Sequence, residues 1–422
     1  MHSGTALAQA MEPVRPRLEL ADIFRSHGED YQKEHRLNTQ QFKAMTDIQL
    51  CRTAAMGGHV DVCDHGCGYM RISYNSCRNR NCPKCQGLQS ARWLEKRFGR
   101  ILPTQYFHMV VTFPHQLNPL ILNNKEVLYN ILFRAAAQSL LELARDWKRL
   151  QAQIGFTAIL HTWNQDMRFH PHLHLVVTAG GLDRSQTKWI ESQNNFLVPV
   201  KALSVKIRGK FVHHLKQAYD QGKILFHGSI QDLEDPKSFR EFVKRLYHNQ
   251  WVVYSKQPFA EPKQVFAYLS RYTHRVAISN QRLVRMIDGS VTFLARDNQK
   301  TSGKRPVTVT AEEFIRRFLI HVLPAGFTKI RHYGLMAACN ARTKLEIARR
   351  LLQDGRPETL ESKTTSDPPQ PPHTWQELFL HLTGIDLTLC PNCGKGRLVR
   401  HPLSILLQTG PMQPSPIFLD SS

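Results

Sequence analysis

The chain has 422 residues, 41% of them apolar, enough for more than one buried core and too apolar for a disordered polymer. No run approaches the roughly 18 consecutive apolar residues that a bilayer span needs, so no membrane partner is expected. Lysine and arginine number 56 against 34 acids, a net charge of +22; a surplus of that size repels itself unless a polyanion is near, which points to nucleic acid.

The N-terminal residues lack a compact apolar stretch after a charged start, so no secretory signal is expected; the chain reads as cytoplasmic and associated with the nucleoid. Residues 20 to 50 read as helical. A cysteine-rich, basic stretch follows to about residue 100. Tyr106–Phe113 reads as a strand closed by Pro114. After Asn123 and Asn124, apolar residues from Val127 to Trp147 recur at three- and four-residue steps, the pattern of a long amphipathic helix. Phe156–Trp163 and His172–Thr178 are the next strands, the second stopped by Gly180-Gly181. Helices are expected over 203–220, 236–250 and 262–274. Val291–Arg296 and Arg305–Thr310 read as a hairpin. Thr310-Ala-Glu-Glu313 reads as a capping box before a helix through Val322. Residues 355–373 hold five prolines and few apolar side chains, the mark of a linker. The expected division is 15–100, helical and cysteine-rich; 101–335, the α+β core; 336–355, a helix; 356–374, the linker; and 375–422, a tail with the second cysteine pair. The fold class is α+β, built on an antiparallel sheet.

Nine cysteines are clustered: six between Cys51 and Cys85, two in Cys390-Pro-Asn-Cys393, and Cys339 alone. Tetrahedral Zn²⁺ takes four thiolate or imidazole ligands, and two short turns supply two each. Cys63-Asp-His-Gly-Cys67 and Cys82-Pro-Lys-Cys85 are therefore the expected ligand set, with Cys77 in reserve alongside Cys51, His59 and His65. Cys390 and Cys393 make half a site. Residues 51–100 carry nine lysines and arginines against three acids, and Arg78, Arg80 and Lys84 are candidate phosphate contacts.

In His170-Pro-His172-Leu-His174, side chains alternate faces, so His172 and His174 share one face about 6.6 Å apart along the backbone. His161 lies on the preceding strand. If the two strands pair, three imidazoles converge on one divalent cation with positions open to substrate oxygens. Tyr268 and Tyr272 are four residues apart and share a helical face, flanked by Arg271 and Arg275, which can hold phosphate.

Together these motifs resemble the two-tyrosine HUH rolling-circle transposases typified by insertion sequence 91. The resemblance runs through Cys51-Arg-Thr-Ala-Ala-Met-Gly-Gly-His59, Tyr74-Asn-Ser-Cys77-Arg-Asn-Arg-Asn-Cys82-Pro-Lys-Cys85, His161 through His174 to Gly181, Tyr268 through Ser279, and Phe314 through Gly334. It implies an N-terminal zinc-binding domain and an HUH endonuclease core of five antiparallel strands flanked by helices. It also implies transposition through single-stranded DNA, at the element's ends and its target. Tyr268 and Tyr272 would be the nucleophiles, leaving a 5′-phosphotyrosine link and a free 3′-hydroxyl. Mg²⁺ or Mn²⁺ would sit on His161, His172 and His174, and Zn²⁺ would be structural. A relaxase or replication initiator would share this chemistry, but the chain has no GxxxxGK[ST] helicase motif. A non-catalytic, zinc-stabilised DNA-binding regulator would account for the charge and cysteines, not for the histidines and tyrosines.

Overall fold

The computed structural model describes residues 18–85, 93, 100–193, 196–249, 251–259, 277–297, 303–354, 376–377, 379–380 and 384–403. Its central element is an antiparallel sheet of β3 (Tyr106–Thr112), β4 (Gln153–Trp163), β5 (Phe169–Leu182), β7 (Val252–Phe259) and β11 (Ile330–Gly334), in the order β11-β4-β5-β3-β7. A sixth strand, β6 (Trp189–Glu191), pairs with the end of β5. Six strands thus stand where five were expected, because β5 runs on through Gly180 and Gly181. A Cβ at Gly180 would lie 2.6 Å from the Ile190 carbonyl oxygen, and one at Gly181 would lie 2.4 Å from that of Gln153. The glycines that usually weaken a strand here let neighbouring backbones approach.

Strict alternation gives this sheet two unlike faces. Phe107, Met109, Val111, Phe156, Ala158, Leu160, Leu173, Leu175 and Val177 point into the largest core. They meet apolar stripes of α4 (Lys125–Arg145), α5 (Val200–Asp220) and α6 (Pro236–His248), which follow a short α3 (Asn118–Asn123). α4 stops at Arg145, two residues short of the expected Trp147. Asp146 is extended there and its carboxylate accepts the Lys148 N–H, an Asx-type turn that leaves Trp147 exposed. The other face carries His108, His161, His172 and His174, flanked by Tyr106, Ile159 and Val176. The latter three pack under Leu345, Ala348 and Leu352 of α8 (Lys344–Asp354).

The region 20–50, read as helical, holds two helices: α1 (Leu20–Glu34) and α2 (Thr39–Leu50), the second opened by Asn38, whose side chain accepts from Gln40 and Gln41 N–H. Their buried faces join a second core with α7 (Ala311–Leu319) and a three-stranded sheet, β10-β9-β8. The strands are β8 (Leu283–Ile287), β9 (Ser290–Arg296) and β10 (Lys304–Thr310). Phe24 meets Phe318 edge-on, ring centroids 5.5 Å apart. The hydroxyl of Thr310 accepts from Glu313 N–H and caps α7.

The third sheet joins distant segments. β1 (Gly58–Cys63) pairs with β2 (Met70–Tyr74) on one side and with β12 (Leu398–Pro402) on the other. Among the described residues, no helix is long and apolar enough to cross a membrane.

Candidate functional site

On the polar face of the central sheet, His161 of β4 stands directly across the ladder from His172 of β5. His174 follows two residues on, on the same face. Ligand atoms of the three lie within 4.8 Å of one another. The tautomers follow from their neighbours. The His172 Nδ1 donates to the His170 carbonyl at 2.7 Å, since a carbonyl can only accept, and this leaves Nε2 with its lone pair. That Nε2 lies 3.1 Å from the Nε2 of His174, whose Nδ1 is 2.9 Å from the Nε2 of His108. Two imidazole nitrogens so close need positive charge between them. A shared proton meets the need when His108 donates to His174, and a metal cation meets it when His174 donates to His108.

Burial keeps His172 and His108 neutral, which leaves His172 fit to ligate. It pushes the His172 pKa down to about 4 against a small opposing effect of the His170 carbonyl, and that of His108 to about 4 with help from Lys256. Trp163 stacks on the His161 ring at 4.8 Å and limits its rotation. His108 was not singled out in the sequence; its parity with His172 and His174 across paired strands was the available signal.

Tyr268, Tyr272, Arg271 and Arg275 lie outside the described residues. In the chain they follow β7, which pairs with β3 beside the histidine face.

The expected zinc quartet of Cys63, Cys67, Cys82 and Cys85 does not form; its members divide between two clusters. Cys51, Cys77, Cys82 and Cys85 make the first, with Sγ separations of 3.6 Å (Cys51–Cys85) and 3.7 Å (Cys77–Cys85 and Cys51–Cys82). Zn–S bonds of about 2.3 Å in a tetrahedron put sulfurs about 3.8 Å apart, whereas a disulfide needs about 2.05 Å. The cause of the division is the β1–β2 hairpin, which carries Cys63 and Cys67 at its turn and leaves Cys77 beyond its far end. Cys77 then closes on Cys51 at the end of α2. Arg78 sits at φ +53°, a left-handed conformation that turns the chain sharply after Cys77. Hydrogen bonding from Cys77 and Cys82 draws the Cys51 thiol down to about 7, while the same network pushes Cys77 and Cys82 up.

Cys63, Cys67, Cys390 and Cys393 make the second cluster. Two of the three phosphate candidates, Lys84 and Arg80, have intramolecular partners. Lys84 Nζ pairs with Glu19 at 2.9 Å, and Arg80 donates to the Phe327 carbonyl, joining the cysteine module to the core. The signal missed at Lys84 was the acid Glu19, distant in sequence but at the start of α1.

A family described as "Transposase zinc-binding domain" matches residues 23–113, and one described as "Putative transposase" matches residues 155–344. The chain is 45% identical over 382 residues to "Putative transposase y4qJ" of Sinorhizobium fredii (strain NBRC 101917 / NGR234), covering 90% of this chain and 94% of the relative. It is 25% identical over 306 residues to "Transposase for insertion sequence element IS801" of Pseudomonas savastanoi pv. phaseolicola, covering 72% of each. No solved structure matches.

Proposed function

The chain belongs to the insertion-sequence transposases of the IS91 and IS801 type, with an N-terminal zinc-binding domain, and on that premise we propose that it nicks and joins single-stranded DNA through a tyrosine nucleophile. The central sheet is read as an HUH endonuclease core, with one added strand at the end of β5.

The observation that carries this reading is the convergence of His161, His172 and His174 on one face, with both Nδ1 atoms of the His172–His174 pair already engaged. Such a set suits a divalent cation, which when bound would polarise the scissile phosphate. Nitrogen donors favour Mn²⁺ over Mg²⁺, which prefers oxygen. The histidines themselves hold geometry: His108 and the His170 carbonyl fix two of the three rings, and Trp163 braces the other.

Tyr268 or Tyr272 supplies the nucleophile. Its phenol gives up a proton, its oxygen bonds to phosphorus, and the bond to the 3′-oxygen breaks as that oxygen takes a proton. The product is a 5′-phosphotyrosine link and a free 3′-hydroxyl. The phosphodiester count is conserved, so the 3′-hydroxyl can reverse the step on another strand. Arg271 and Arg275, at helical spacing from the tyrosines, would hold the anion.

The deciding experiment incubates the protein with single-stranded oligonucleotides bearing the element's terminal sequence and Mn²⁺. Mass spectrometry should find an oligonucleotide joined to Tyr268 or Tyr272. A protein that binds these strands and never cuts them would be a regulator, and the reading would fall.

A further inference from the structure

The zinc-binding family match ends at residue 113, yet half of the second cysteine cluster comes from far beyond it. Cys63 and Cys393 are 330 residues apart in the chain and their sulfurs are 3.7 Å apart; Cys67 and Cys390 sulfurs are 3.6 Å apart. These are tetrahedral-edge distances for Zn–S bonds of about 2.3 Å and far too long for disulfides.

Both contributing turns have the shape that zinc knuckles need. Gly66 and Gly394 take left-handed φ values of +71° and +64°, bending each chain so that its two sulfurs face the same way. The Gly396 N–H donates to the Cys393 sulfur at 3.3 Å, which stabilises thiolate charge. A Cβ at Gly396 would come within 2.5 Å of the Cys63 sulfur, so the two knuckles pack with no room for a side chain between them. Around the cluster, Asp64 and Arg397 exchange hydrogen bonds: Asp64 N–H to the Arg397 carbonyl, and Arg397 N–H to the Asp64 carboxylate at 2.7 Å. Buried Asp61 accepts from Arg71 of β2 at 3.0 Å and from Arg400 of β12 at 2.9 Å.

We propose that Cys63, Cys67, Cys390 and Cys393 bind a second structural Zn²⁺, separate from the ion of the first cluster, that clamps the segment around residues 384–403 onto the N-terminal module. Four sulfurs complete the tetrahedron and leave no open position, so this ion holds structure and does no chemistry. Its effect is to turn the β1–β2 hairpin into a three-stranded sheet and to close the chain into one loop spanning the whole catalytic core.

Two measurements test this on the full chain, neither depending on DNA cutting. Metal analysis of the purified protein should give two zinc ions per chain. Cys390→Ser with Cys393→Ser should give one, and Cys82→Ser with Cys85→Ser should also give one. Second, a protease site placed within residues 356–374 should, once cut, leave the downstream piece bound to the rest on gel filtration until zinc is chelated. One zinc per wild-type chain would overturn the proposal even if the variants fail to fold. So would recovery of these four cysteines as disulfides, a piece that leaves while both zincs remain, or a piece that stays after chelation.

Discussion

His172 and His174 hold their Nε2 atoms 3.1 Å apart while the Nδ1 of each faces a different partner, a carbonyl for one and His108 for the other. On the proposed function this pair shares one cation. Replacing His172 with alanine removes a ligand without disturbing the alternation that buries Leu173 and Leu175. Strand cutting should disappear while DNA binding and zinc content persist. Gel assays of nicking and binding, run beside zinc analysis, check this; simultaneous loss of binding and fold would mean that the histidines only pack.

On the same proposal His108 acts through His174, whose Nδ1 lies 2.9 Å from its Nε2. Partners at that remove typically change metal affinity by roughly 10- to 100-fold when mutated. His108→Ala should therefore raise the Mn²⁺ concentration for half-maximal nicking by about that factor, with the rate at saturating Mn²⁺ less affected. A variant with the wild-type Mn²⁺ dependence would remove His108 from the site.

Phenols titrate near pH 10 and attack poorly at neutral pH without help. Tyr268→Phe with Tyr272→Phe deletes two hydroxyls and little else, so the double variant should bind DNA, retain its zinc and form no covalent adduct. Each single variant should keep at most partial cutting. An adduct formed by the double variant would place the nucleophile elsewhere.

Burial pushes the His321 pKa down to about 3, its ring enclosed between the Thr162 hydroxyl and the Met167 carbonyl. In the unfolded chain the same ring titrates near 6.5. Between those values the unfolded state binds the extra proton, so stability falls as the pH drops from about 6.5 toward 3. The melting temperature should decline across that window, and His321→Asn should flatten the decline. An equal slope in the variant would assign the acid sensitivity to other groups, of which His108 is the next candidate.

Much of the histidine site was legible because it depends on local periodicity: alternation aligned His172 with His174, and a short connection brought β4 beside β5. The zinc sets were not, for a physical reason. Spacing shows that Cys63–Cys67 and Cys390–Cys393 are knuckles, but not which knuckles meet, since that depends on β12 pairing with β1, which brings Cys393 to Cys63 from 330 residues away. Gly180 and Gly181 read as a strand end by propensity, and tertiary crowding by Ile190 and Gln153 overrode it. The charge of Lys84 was visible, but its ion pair with Glu19 was a matter of packing between α1 and the cysteine module.

The pairing of β1 with β12 has a consequence for biosynthesis. A ribosome adds roughly 5–20 residues per second, so on the order of tens of seconds pass between the emergence of β1 and that of β12. Throughout that interval one edge of β1 has bare backbone donors and acceptors, and the thiols of Cys63 and Cys67 await their partners. An open edge of this kind invites pairing with another nascent chain. Premature termination anywhere before Cys390 would make the exposure permanent, so truncated products should aggregate rather than linger as competing binders of the element's DNA.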